Sequence, residues 1–155
     1  MRYVLALVLL LLTISGDSSE HRGPEDCLAL NVYHEARGES ELGQIAVAQV
    51  TMNRVFERNP KWGYTVCEVV YAKDQFSWTT PNPRVTDWVA YNKALVIAKK
   101  VIRGGYDYDV TLGSTYFHAA DISPCWLTDV KKSVRIDNHI FYQPLDKKSG
   151  TCYED

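Results

Sequence analysis

The first apolar run, residues 3–14, is broken only by Thr13; Met1-Arg2 precedes it and Ser15-Gly16-Asp17-Ser18-Ser19 follows. A basic start, an apolar stretch and small residues at the cleavage point are the parts of a secretory signal. The run falls short of the roughly 20 residues that a bilayer-spanning helix needs. The pattern predicts a signal peptide over residues 1–16, with an uncleaved signal anchor as the alternative. Residues 17–23 are polar and read as a flexible leader, and 24–155 as one folded domain.

Beyond the leader, apolar positions recur at helical spacing. Pro24-Glu25-Asp26 starts a helix, because proline suits the first turn and acids complement its free N–H groups. Leu28, Val32, Tyr33 and Ala36 continue one stripe, and Gly38 supplies the stop. A second helix is predicted from about 40 to 56 on Leu42, Ile45, Ala48 (or Gln49), Met52 and Val55, ended by Asn59-Pro60. A short helix covers 65–71, and the loop after it carries Asp74-Gln75-Phe76-Ser77-Trp78. Thr86 or Asp87 caps another long helix reaching 103, with Trp88, Tyr91, Leu95, Ala98 and Ile102 on one face. The period then changes. Residues 114–118 and 134–142 are rich in aromatic and β-branched side chains, as short strands are, and Ser123-Pro124-Cys125-Trp126 forms a loop between them. The fold class predicted is α+β, mainly helical, a single domain with a small β element.

Composition narrows the function classes. The 155 residues, 46% apolar and 23% charged, have the balance of a globular domain. With 17 basic and 19 acidic residues the net charge is −2, so the basic stripe of a nucleic-acid binder is missing and no nucleic-acid partner is expected. Contact with a membrane rests on the N-terminal signal alone, and a monomer is expected. Four cysteines (Cys27, Cys67, Cys125 and Cys152) all follow the signal, an even count in an oxidising compartment. Of the three possible pairings, Cys27–Cys67 and Cys125–Cys152 are favoured, because each ties neighbouring segments together. The protein is read as exported.

The chemistry concentrates in His34-Glu35-Ala36-Arg37-Gly38-Glu39, at the end of the first helix. A carboxyl near the C-terminal pole of a helix, among apolar neighbours, is held toward its protonated form. That is the state a general acid needs in order to protonate a glycosidic oxygen. A metal site is the competing pattern. His34-Glu35 begins the zinc-protease signature, but Gly38 stands where its second histidine belongs. His118 and His139 on the two predicted strands could still meet a carboxylate around a metal, although neither a metal nor a cofactor is expected. Ser77, His118 and Asp137 supply the residue types of a triad without the GxSxG elbow.

Tyr33-His34-Glu35-Ala36-Arg37-Gly38-Glu39, Gly43-Gln44-Ile45-Ala46-Val47-Ala48 and Asn53-Arg54-Val55 together resemble the germination-specific cell wall hydrolase family, of the spore-cortex-lytic type also found in phage endolysins. Further matching blocks follow in order: Val66-Cys67 with Val69-Val70-Tyr71, and Gln75-Phe76-Ser77-Trp78. After them come Gly113-Ser114-Thr115-Tyr116-Phe117-His118-Ala119, Ser123-Pro124 with Trp126, and Ile136 with Asn138-His139-Ile140-Phe141-Tyr142. The resemblance covers about residues 27–142.

What the resemblance implies is a lysozyme-like, lytic-transglycosylase-like fold acting on the glycan strands of peptidoglycan, in wall remodelling or phage lysis. Glu35 matches the family's catalytic acid. Glu39 becomes a ligand-contact candidate, and Gln75, Phe76, Ser77 and Tyr116 match cleft-lining positions. In the mechanism this implies, amides of Gln44, Gln75 and Asn138 hold sugar hydroxyls and acetamides, and Tyr116 or Trp78 stacks on a sugar ring. Two rivals stand beside it: a metal-dependent N-acetylmuramoyl-L-alanine amidase using His34, His118 and His139, and a secreted carbohydrate-binding module.

Overall fold

The computed structural model describes residues 22–145. The signal segment, most of the leader and Cys152 lie outside the described residues, and with Cys152 the expected Cys125–Cys152 bridge.

Among the described residues four α-helices form where the local chemistry directs them. α1 (Pro24–Ala36) opens on proline with Glu25 and Asp26 in its first turn. α2 (Glu41–Glu57) is capped by Ser40, whose hydroxyl accepts from the Gly43 N–H. α3 (Val66–Tyr71) begins with a capping box in which Thr65 and Glu68 each satisfy the other's backbone donor. α4 (Trp88–Ile102) takes Asp87 as its cap, the carboxylate accepting from Val89 and Ala90.

α2 is the centre of the packing. Every residue from Gly43 to Met52 is buried, the mark of a helix covered on all sides rather than amphipathic. One side packs with Leu28, Val32, Val70, Ile97 and Ala98 of the other helices. The opposite side, through Ala46 and Val50, meets Ile136 and Phe141 of the sheet. A disulfide joins Cys27 in the first turn of α1 to Cys67 in α3, as the sequence favoured.

The sheet has three antiparallel strands in the order β1-β3-β2: β1 (Tyr116–Ala119), β2 (Val130–Ile136) and β3 (His139–Pro144). The run expected as one strand over 134–142 is therefore a hairpin. Ile136 pairs with His139, and Asp137 turns the chain with φ 48, a left-handed conformation that Asp tolerates locally. A second correction concerns α4. Its buried side is Ala94, Ile97, Ala98 and Val101, whereas Trp88 is 63% exposed. Small residues let α4 lie close against α1, so the aromatic positions turn outward or to the edge.

Candidate active site

Glu35 stands in the last turn of α1, partly enclosed by the packed helices. Burial pushes its carboxyl up to about 7, and the Arg54 guanidinium pulls the other way. A carboxyl in this state is protonated in a large fraction of molecules at neutral pH and can give that proton up.

The neighbouring side chains fix the end of the helix. His34 stacks on Trp78 with centroids 4.5 Å apart, and burial holds its pKa below the usual histidine value. Trp78 is itself buried and donates through Nε1 to Asn31 Oδ1 at 3.0 Å; Asn31 in turn donates to Thr51 Oγ1 at 3.1 Å. This buried relay links the 76–78 loop to α1 and α2. Tyr33 accepts from the Thr86 and Asp87 N–H groups, holding the start of α4 to the end of α1.

Arg54 near the C-terminal end of α2 interacts electrostatically with both Glu35 and Tyr116 of β1. Arg54 lies over the rings of Trp62 and Phe76 and donates from Nε to the Thr115 carbonyl at 2.7 Å. Tyr116 is half-buried, its ring 5.6 Å from that of Trp62 and 5.4 Å from that of Trp126. Trp126 also contacts His118 and Tyr142, so an aromatic surface extends from the loop before β2 across the sheet. Such a surface suits the apolar face of a sugar ring. A separate cavity of about 590 Å³, lined by Asp26, Leu30, Arg84 and Trp88 among others, opens on another face of α1, and Glu35 does not line it.

The remaining candidates divide by what they touch. Gln75 is half-buried and Ser77 exposed on the same loop. Phe76 and Trp78 are buried, so their rings serve packing, and Trp78 in this position cannot lie flat against a sugar. Gln44 is buried and donates to the Glu39 carbonyl at 3.1 Å. The Glu39 carboxylate accepts from the Asn138 N–H at 3.1 Å. These three form a clamp between the α1–α2 loop and the β2–β3 turn, and the Asn138 side chain is left exposed.

Neither alternative constellation assembles. His118 engages the Ala119 carbonyl at 2.7 Å and the Tyr142 hydroxyl at 2.8 Å, while Asp137 is bound to Ser40. His139 is buried against Phe117. Among the described residues no three of His, Cys, Asp and Glu gather as a metal-holding group. Arg54, Trp62 and Trp126 are the residues of this site to which sequence reasoning gave no role. The available signal was a basic residue in line, at three- to four-residue spacing, with Val47 and Val50 on the same helix.

Comparison with known proteins matches this architecture. The cell wall hydrolase family matches over residues 38–142, beginning just after Glu35. The spore cortex-lytic enzyme of Halalkalibacterium halodurans is 30% identical over 116 residues, 74% of this chain, and the match spans 33% of that relative. Among solved structures, the catalytic domain of the germination-specific lytic transglycosylase SleB from Bacillus anthracis superposes with a TM-score of 0.62. It is 26% identical, with 81% of this chain and 98% of that one covered. The catalytic domain of the Bacillus cereus SleB protein gives 0.58 at 27% identity, covering 77% and 90%. The mainly helical, lysozyme-like fold expected from the sequence is the fold these domains share with it. The chain belongs to the cell wall hydrolase family.

Proposed function

We propose that this enzyme is exported and, as a monomer, cleaves peptidoglycan glycan strands between N-acetylmuramic acid and N-acetylglucosamine, as a lytic transglycosylase. The observation that carries this reading is the Glu35 carboxyl, raised by burial to about 7 at the end of α1. In the reaction Glu35 protonates the bridging oxygen as the bond from muramoyl C1 breaks and positive charge builds on that carbon. The resulting carboxylate removes the proton from the muramoyl 6-hydroxyl, whose oxygen bonds to C1. The products are a free N-acetylglucosamine hydroxyl and a 1,6-anhydro end, and Glu35 is protonated again. One carboxyl suffices because the nucleophile is already part of the sugar, which gives it a high effective concentration.

Tyr116 and Trp126 supply the stacking surface, with Gln75, Ser77 and the Asn138 side chain as hydrogen-bonding candidates at its margins. Glu39 and Gln44 serve by holding the clamp. Export rests on the residues 1–16 signal, and the kinship with wall-lytic enzymes agrees with action outside the cell membrane. Mass spectrometry of digested peptidoglycan tests the proposal. Muramoyl ends lighter by one water than hydrolytic ends are expected; reducing muramic ends would make the enzyme a muramidase, and released stem peptides an amidase.

A further inference from the structure

The cavity of about 590 Å³ on another face of α1 holds no residue that the steps above use. Its wall carries two cations, Arg22 and Arg84, and one carboxylate, Asp26. The carboxylate is engaged. Asp26 Oδ1 accepts from the Tyr91 hydroxyl at 3.2 Å, and Tyr91, its pKa pushed up to about 12 chiefly by burial, stays a donor. Arg22 donates from Nη1 to the Tyr71 hydroxyl at 2.8 Å, a neutral partner that fixes the guanidinium and leaves its charge unmatched. Arg84 is exposed, and among the described residues neither arginine has an ion pair. The wall is therefore net positive in a chain whose net charge is −2. Beside the cations stands the exposed Trp88, its ring edge-on to Tyr91 with centroids 5.6 Å apart. Two guanidinium groups bordering an aromatic wall suit a ligand that carries carboxylates on a small apolar frame. The planar fork matches a carboxylate, and the ring covers methyl groups.

The loop that builds this wall also reaches the glycan side, with Gln75 and Ser77 at one end and Asn82 and Arg84 at the other. Asn82 turns with φ 57 and donates its N–H to the Trp78 carbonyl at 2.9 Å, and Trp78 stacks on His34, the neighbour of Glu35. The rise along α1 from Asp26 to Glu35 is about 13.5 Å. Four peptide residues in extended form cover about 13–14 Å. We propose that this cavity binds the acidic stem peptide of peptidoglycan, with Arg22 and Arg84 holding its carboxylates and Trp88 covering its alanine methyl groups. A stem of four residues, with the lactyl ether that joins it to the sugar, is long enough to bring its terminal carboxylate from the glycan to the cavity. The enzyme thereby prefers strands that still carry their peptides. This rests on peptidoglycan being the substrate.

The test is a titration of the full chain with the free tetrapeptide L-alanyl-γ-D-glutamyl-L-lysyl-D-alanine, followed by NMR at the Trp88 indole N–H. A saturable shift is expected, and it should be lost when the carboxyl groups of the peptide are converted to amides. Arg84→Gln, a change of an exposed side chain, should weaken binding roughly tenfold or more, the cost of one hydrogen bond to a charged group. Arg84→Lys keeps the charge without the fork and should recover part of that loss. A Trp88 signal that stays flat overturns the proposal, as does equal binding of the amidated peptide. An equal shift with inorganic phosphate also overturns it, by marking a general anion site. On peptidoglycan, the loss in Arg84→Gln should fall on KM and be smaller on glycan strands stripped of their peptides; an equal loss on both substrates counts against the proposal. The titration needs no turnover. Failure of the peptidoglycan reading would therefore show separately, as a protein that binds the peptide and leaves glycan strands intact.

Discussion

Asp137 accepts two hydrogen bonds from Ser40, one from its N–H at 3.0 Å and one from its hydroxyl at 2.5 Å, across 97 residues of chain. The β2–β3 turn is thereby fastened to the residue that caps α2. Glu39, the preceding residue, repeats the connection by accepting from Asn138 N–H. The sheet is thus anchored by two carboxylates to the loop that follows Glu35.

Removing Asp137 should release this fastening. Asp137→Ala is expected to lose about 1.5–3 kcal/mol, the range for hydrogen bonds to a charged group. Ser40→Ala loses both its bond to Asp137 and the cap on Gly43, so the two losses should not add. A double-mutant cycle by urea unfolding measures this; strictly additive losses would mean that the pair contributes nothing jointly.

Gly43 is needed for the same approach. A Cβ there would stand 2.6 Å from Asp137 Oδ2 and 2.9 Å from Glu39 Cβ. Gly43→Ala should therefore cost about 1–3 kcal/mol, although alanine is intrinsically the better helix former. Thermal unfolding decides it: an unchanged or raised Tm would mean that the turn yields freely.

How far the sequence foretells the molecule depends on whether a feature is local. Pro24, Thr65 and Asp87 mark their helix starts by chemistry within one turn; the first two stand where a helix start was expected, and of the two caps offered for α4, Thr86 and Asp87, Asp87 is the one used. The hairpin at Asp137 is hidden because aromatic and β-branched residues flank it without a glycine. The orientation of α4 depends on which neighbour it meets, and Trp88 attracts attention to the wrong face. In the site, Glu35 is legible because its helix end and apolar neighbours lie in one short segment. Phe76 and Trp78 look available for sugars, since aromatic residues in a loop carry no sign of being anchored inward. Arg54 is harder still: its surroundings come from Trp62, Phe76 and Thr115, which only the tertiary fold brings together.

The Cys27–Cys67 bridge spans 40 residues and ties α1 to α3. In the chain-entropy picture such a closure adds roughly 2–4 kcal/mol by restricting the unfolded chain. Cys27→Ala with Cys67→Ala should lower stability by that amount in oxidising buffer. Reductant should then lower the parent's Tm more than the variant's. Equal sensitivity of the two would mean that this bridge is not what the reductant acts on.

His118 and His139 distinguish a glycosidase from a metal-dependent amidase. His118 uses both ring nitrogens within the sheet, and burial holds the His139 pKa below the usual value. His118→Gln and His139→Gln are each expected to lose about 1–3 kcal/mol of stability while activity per folded molecule persists. A chelator should leave the parent active. Stoichiometric zinc in the parent that disappears in both variants and in His34→Ala, together with activity, would reverse the assignment.

Glu35→Gln should separate activity from stability. The variant keeps the shape of the side chain but cannot donate a proton, so lysis should fall by about 10²–10⁴-fold. Stability follows from the direction of the pKa shift. Glu35 is raised from an ordinary 4.5 to about 7, so between those values the folded protein holds a proton that the unfolded chain releases. The stabilisation from that proton is complete below 4.5 and is lost as the pH rises through 7; above that, folding must bury a charge. Glutamine is neutral throughout. Relative to the parent, Glu35→Gln should therefore gain on the order of 2–3 kcal/mol between pH 4 and pH 8. Urea unfolding of both proteins across that range checks it. A stability difference that stays constant with pH would mean that the Glu35 carboxyl is not raised. Its place at the end of α1 would then give it no advantage as a proton donor near neutral pH.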